Sequence, residues 1–144
     1  MKDLKYFPTT NYDKGLQKYY FLSIAKNIIK IADLDKSEKI ILDFGCGNKI
    51  FSKLLKKNKI LNFDTKPEYT EIKNYEDYEF DVVIFNHVLM YMTSAEIDIV
   101  LKKIRKINPK CEIILSLSRQ NLLSKIGMFL TLNFKAHDKT ISSY

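Results

Sequence analysis

Apolar positions follow two alternating periods along this chain, one of about four residues and one of short continuous runs, and the alternation predicts helices layered on a sheet. Leu16, Tyr20, Ile24, Ile28 and Ile31 recur at helical spacing with Lys18, Lys26 and Lys30 on the other side, which predicts an amphipathic helix over about residues 14 to 32. Asp13 is the expected N-cap. The run Lys39 to Leu42 is apolar and β-branched, long enough for a buried strand and too short for a helix, and Gly45 and Gly47 break it. Beyond the glycines Ile50, Phe51, Leu54 and Leu55 return to helical spacing against Lys53, Lys56 and Lys57. The same sequence of events follows downstream. Lys59 to Phe63 and Phe80 to Phe85 read as further strands. Thr93-Ser94-Ala95-Glu96 reads as a capping box that opens a helix striped by Ile97, Val100, Leu101, Ile104 and Ile107, and Pro109 ends that helix before a strand over Cys111 to Leu117.

Strand, helix, strand, loop, strand, helix, strand, joined by short connections, implies a mostly parallel sheet with right-handed crossovers. The interval from Thr65 to Glu79 contains Pro67 and is short. A loop is expected there, with a brief edge strand around Glu71 to Lys73. Residues 1 to 13 form an aromatic, turn-rich lead-in. Near the other end Leu122, Ile126, Phe129 and Leu130 predict a short apolar helix reaching about Thr131. The expected organisation is one domain over 1–144, with the lead-in and first helix in 1–35, the core in 36–117 and a tail in 118–144.

Composition narrows the class. The 144 residues, 46% hydrophobic and 28% charged, suit one globular domain that buries roughly two-thirds of its unfolded surface without needing a metal or disulfide. No apolar run approaches the roughly 20 residues of a membrane span and no signal-like h-region follows Met1, so a cytoplasmic protein is expected. Cys46 and Cys111 lack metal-ligand spacing. The net charge of +7 is carried by lysines spread over helix faces, with Arg105 and Arg119 the only arginines; that pattern is a solvated surface more than a nucleic-acid footprint.

The chemistry concentrates in Ile40-Ile41-Leu42-Asp43-Phe44-Gly45-Cys46-Gly47-Asn48. A strand that turns sharply into a helix at glycines gives a ligand close access to the main chain and to free amides at the helix start. A dinucleotide fingerprint would need a third glycine at Ile50, and a phosphate loop would need Gly-Lys-Ser/Thr after a longer spacing. What remains is an acid two residues before Gly-x-Gly. Asp64 then closes the second strand nineteen residues beyond Gly45, near the roughly 20-residue interval at which an acid in a nucleotide-binding βαβ unit accepts hydrogen bonds from ribose hydroxyls.

Asp43, Gly45 and Gly47, then Asp64, then Phe80-Asp81-Val82-Val83 leading to the polar corner Asn86-His87, resemble in order the motifs of the class I S-adenosylmethionine-dependent methyltransferases of the type 11-like kind. The resemblance covers nearly the whole chain and implies a shortened, doubly wound, Rossmann-like sheet that moves a methyl group from S-adenosyl-L-methionine to an acceptor. It implies a cofactor site at Asp43, Gly45, Cys46, Gly47 and Asp64, with Asn74 and Tyr75 on the adenine side and Asn86 at the strand corner. His87 is the natural base for a hydroxyl acceptor, Tyr91 is placed to offer its hydroxyl to substrate, and His137 is a further acid/base candidate. The family often has another glycine where this chain has Lys49, and it ordinarily continues beyond the tail with a helix and an antiparallel strand pair, so a minimal or shortened member is expected. The acceptor is expected to be a small molecule or a sugar- or lipid-linked compound, with self-association possible through the apolar tail. A catalytically inactive binding or scaffold protein, an RNA-binding methyltransferase and, more distantly, a nicotinamide enzyme are the rival readings.

Overall fold

The computed structural model describes residues 15–117. Within them the chain runs α1 (Gly15–Ile31), β1 (Ile40–Phe44), α2 (Ile50–Leu54), β2 (Lys59–Phe63), a 3-10 turn (Tyr75–Asp77), β3 (Val82–Asn86), a second 3-10 turn (Leu89–Tyr91), α3 (Ser94–Ile107) and β4 (Glu112–Ser116). The four strands form one all-parallel sheet in the order β2-β1-β3-β4. Chain order therefore reverses direction across the sheet at β1 and β3.

Period-two alternation in the strands separates two cores. Ile41, Val82 and Ile84 pack with Ala25, Ile28 and Ile29 of α1 and with Phe51 and Leu55 of the α2 region. Leu42, Phe44, Leu61, Val83 and Phe85 turn the other way, toward Ile104 of α3 and the buried Ile72, Tyr75 and Phe80. β1 and β3 are apolar on both faces because each face is covered by helix or loop, as parallel strands require. Register fixes what lies level across the sheet: Asp43 is opposite Asn62 on one side and Ile84 on the other.

Most elements match the sequence pattern, with four differences. β3 opens at Val82, two residues after the expected Phe80, and runs on to Asn86. β1 continues through Asp43 and Phe44, two residues past the apolar run, because both still pair with β2 and β3. α2 is a five-residue helix that ends at Leu54. The expected edge strand at Glu71 to Lys73 is not formed. Glu71 N donates one bond to Asn62 O (2.9 Å), but Thr70 Oγ1 takes the carbonyls of both Asn62 (3.3 Å) and Ile72 (2.7 Å), and the chain then turns into the 3-10 segment under the Asn74 cap. A single bond replaces the ladder. Asp13, His137 and the apolar tail lie outside the described residues. Among the described residues no helix is long and apolar enough to cross a membrane.

The capping box at α3 is complete: Glu96 N donates to Thr93 Oγ1 (3.3 Å) and Thr93 N donates to Glu96 Oε2 (2.7 Å). Thr93→Ala removes the first of these and leaves Glu96 without its partner hydroxyl. It is expected to cost about 1 kcal/mol and lower Tm by roughly 3 to 5 °C in a scanning calorimeter, with the fold retained.

Candidate functional site

The carboxyl ends of β1 and β3 mark the point where strand order reverses, and in open α/β sheets ligands bind there. At that point β1 enters a turn with left-handed backbone at Gly45 (φ 76°) and Gly47 (φ 43°). The two glycines are required for different reasons. A Cβ on Gly45 would lie 2.4 Å from Val88 Cγ2, so the loop after β3 presses directly on the turn, whereas nothing lies within 4 Å of a Cβ at Gly47. Gly45 is a packing glycine, and Gly47 faces open space that a ligand can occupy.

The turn is fastened to β2. Gly45 N (2.7 Å) and Cys46 N (3.1 Å) both donate to Phe63 O, and Gly47 N donates to Asp64 Oδ2 (3.0 Å). Lys66 N donates to Asp64 Oδ1 (3.0 Å). Each carboxylate oxygen thus holds one amide and keeps a further lone pair, so Asp64 retains capacity for hydroxyl donors.

Asp43 is the unusual group. Its side chain is 2% exposed, and its Oδ2 is buried with no hydrogen-bond partner. Burial first, and the nearby Asp64 charge second, push its carboxyl up to about 7. Asn86, at the end of β3, likewise has a buried Oδ1 with no partner. Two-residue periodicity places Asp43 and Asn86 on the same face of the sheet as Ile41 and Ile84. Two orphaned acceptors on the strands that flank the reversal point are unmet demand for hydrogen-bond donors, and the turn that follows β1 has an open glycine.

The remaining expected residues are placed as follows. Cys46 is buried and its Sγ donates to Tyr69 O (3.5 Å); burial, then the Asp43 and Asp64 charges, push its thiol up to about 12, so it remains a neutral filler of the turn. His87 follows Asn86 with left-handed backbone (φ 59°). It is buried, its N donates to Ser116 O (2.9 Å), and its ring meets Phe21 of α1 edge-on at 5.8 Å. Tyr91 is exposed in the second 3-10 turn. Asn74 caps the first 3-10 turn, its Oδ1 accepting from Glu76 N (3.2 Å) and its Nδ2 donating to Asp77 Oδ1 (3.1 Å). Tyr75 sits on the α3 side of the sheet, its ring 5.3 Å from Phe44 and 5.1 Å from Phe63, and burial raises its phenol. It props the ends of β1 and β2 from the face opposite Asp43. Asp43, the glycine turn, Asp64 and Asn86 are thus gathered at one end of the sheet, while Asn74 and Tyr75 are engaged in capping and in the core.

Sequence reasoning expected Val88 to pack beside the pocket, which its contact with Gly45 matches, but it read Glu71 only as part of an edge strand and did not single out Asn62. Asn62 is buried at the level of Asp43, and its amide links Ser52 of α2 to Glu71. The isolated polar residue inside the apolar run Lys59 to Phe63 is the signal that marks it. Among the described residues no cluster of three His, Cys, Asp or Glu side chains can hold a metal.

A parallel sheet that reverses order beside a glycine turn, with Asp43 inside the end of β1 and Asp64 just after β2, is consistent with a shortened Rossmann-like methyltransferase fold. The family model for a methyltransferase domain matches residues 16–143, and the chain belongs to that family, consistent with the class I S-adenosylmethionine-dependent enzymes. No curated protein and no solved structure gives a significant match.

Two variants probe the site without a ligand. The native state holds the Asp43 proton more tightly than the unfolded chain, so this group's contribution to stability is full below pH 4 and is lost as pH rises through about 7. The shift corresponds to a penalty on the order of 4 kcal/mol for the ionised form. Asp43→Asn is expected to gain stability over wild type in urea unfolding at pH 8 and to lose that advantage by pH 4; parallel profiles would refute the assignment. Gly45→Ala is expected to destabilise by about 3 kcal/mol or more, combining left-handed strain with overlap on Val88. Adding Val88→Ala should return part of that loss.

Proposed function

We propose that this chain is an S-adenosyl-L-methionine-dependent methyltransferase acting on a small-molecule or sugar- or lipid-linked acceptor. The observation that carries the reading is the buried Asp43 carboxyl, left without a partner at Oδ2 on the strand that leads into the turn where Gly47 has open space. An unpaired buried acid is costly in a ligand-free domain and suits a ligand that brings both positive charge and hydrogen-bond donors. The cofactor fits this donor and charge pattern. When bound, it supplies a methyl group already activated on a sulfonium.

Asp64 is the residue we assign to its ribose hydroxyls, through the lone pairs that Gly47 and Lys66 leave free. Asp43 would face the ammonium group of its amino-acid portion beside the glycine turn, and Asn86 supplies a further acceptor. Because the donor is activated, the protein's task is to align the acceptor, an effect that can supply several of the roughly 7 to 11 kcal/mol available from orientation. For a hydroxyl acceptor, His87 is the base we assign, and Tyr91 lies exposed enough to touch substrate. The arginine-poor surface supports a small acceptor over RNA. A second reading, a domain that binds the cofactor without turnover, is favoured by the buried, edge-on packing of His87 against Phe21.

Calorimetric titration with S-adenosylmethionine, S-adenosylhomocysteine and NAD tests the cofactor class. The two adenosyl-sulfur ligands are expected to bind and NAD is not. Asp64→Asn should weaken S-adenosylhomocysteine by about tenfold or more, the worth of a lost charge-assisted hydrogen bond. His87→Asn, a residue type that tolerates left-handed backbone, should keep affinity within about twofold and lower turnover once an acceptor is found. Equal affinity of Asp64→Asn and wild type would remove Asp64 from the site.

A further inference from the structure

The turn after β1 adopts left-handed backbone at three alternate positions, 45, 47 and 49, and the third is a lysine with φ 54°. Glycine reaches this region freely, whereas a residue with a Cβ is strained there. Lys49 sits at the N-cap of α2 and makes no side-chain capping bond to it. Its Nζ instead reaches Glu71 Oε1 at 2.8 Å.

Glu71 is itself anchored. Its N donates to Asn62 O (2.9 Å) and its Oε2 accepts from Asn62 Nδ2 (2.6 Å). Asn62 is 2% exposed and also bonds Ser52 of α2, donating to Oγ at 2.9 Å and accepting from it at 3.1 Å. Lys49, Glu71, Asn62 and Ser52 therefore close a ring that begins at one end of the turn, crosses the outer edge of β2 and returns to α2. Contacts with Lys49 and then Asn62 hold the Glu71 carboxyl below its usual range. The short, strandless connection after Asp64 is what brings Glu71 to this place.

We infer that Glu71 is a positioning residue for the cofactor turn: anchored to β2 through Asn62, it clamps Lys49 in the backbone conformation that a glycine would adopt unaided. The inference rests on reading the turn as an S-adenosylmethionine cradle. Gly47 is then fixed from both sides, by Asp64 at its own amide and by the clamped Lys49 two residues on.

An ordinary exposed ion pair would contribute little and would act independently of the backbone at position 49. A clamp makes a different demand: Glu71 matters only while position 49 carries a Cβ. The test uses wild type, Lys49→Ala, Lys49→Gly, Glu71→Gln and the double variant Lys49→Gly/Glu71→Gln, each titrated with S-adenosylhomocysteine. Glu71→Gln keeps an acceptor for Asn62 and loses the charge pairing. Alone, it and Lys49→Ala are expected to weaken binding by about fivefold, the scale of one modest interaction. Lys49→Gly should bind within about twofold of wild type, and adding Glu71→Gln to it should change nothing further. An equal effect of Glu71→Gln in both backgrounds, or no effect in either, overturns the clamp.

Thermal unfolding of the same five proteins decides the question even if wild type binds neither adenosyl ligand, in which case the cofactor reading fails separately. A Tm lowered by Lys49→Ala and recovered by Lys49→Gly, with Glu71→Gln harmful only beside lysine, supports the clamp. Any order in which Lys49→Gly is the least stable overturns it.

Discussion

The carbonyl oxygen of Phe63 accepts from two successive amides, Gly45 N at 2.7 Å and Cys46 N at 3.1 Å, and the geometry of the candidate site depends on that shared acceptor. It brings the chain leaving β1 across the end of β2 at the moment both strands finish. Asp64 follows Phe63 directly, so once the carbonyl is engaged the carboxylate falls within reach of Gly47 N. Phe44 and Phe63, each the last residue of its strand, meet Tyr75 edge-on on the face away from Asp43, so the same rung is braced from beneath by aromatic packing. Backbone bonds fix the turn in the plane of the sheet and the rings fix it across the sheet. A site assembled from strand ends gains its precision from this rigidity, with no contribution needed from long loops.

Much of this was legible because it is local. The β2 run, the glycine turn and the α3 capping box each depend on residues within a few positions of one another, the acid spacing spans only one strand–helix–strand unit, and the structure places β2 on Lys59–Phe63 as the pattern predicts. β1 reads short because an acid at the end of an apolar run looks like a boundary; Asp43 is instead a paired strand residue kept in the core. What stayed hidden depends on register and crossing. Nothing near Gly45 announces that Val88, far along the chain, will lie against it, and nothing near Lys49 announces Glu71. Tyr75 shows the limit from the other side: an aromatic in a loop reads equally well as a ligand wall or as core, and only the packing against Phe44 and Phe63 places it.

Several of the strained and unsatisfied features among the described residues gather at one end. Asp43 and Asn86 hold orphaned buried acceptors, and of the three described non-glycine residues with positive φ, Lys49 and His87 flank the same reversal point while Asp33 lies in the connection after α1. At the opposite end Asp81 Oδ2 accepts from Ile40 N at 2.8 Å and Asn108 Nδ2 donates to Phe80 O at 3.0 Å, while Asn58, just before β2, keeps one buried Oδ1 without a partner. Strain and unmet bonds persist only where the surrounding structure imposes them, and two orphaned acceptors beside two left-handed non-glycine residues at the reversal point are what a functional site is expected to show.

Asp43 also ties the proposed ligand to protons. Its carboxyl titrates near 7 because water is excluded and Asp64 is close. A cation seated over the turn acts on the same equilibrium in the opposite sense, favouring the ionised acid and drawing its proton off. Affinity for a cationic ligand must then rise with pH until Asp43 is ionised in the free protein, while the stability of that free protein falls over the same interval. The two opposed slopes share one cause, the burial of a carboxyl at the end of a central strand. A surface acid at the same position would show neither, because solvent would hold its pKa near 4 with or without the ligand.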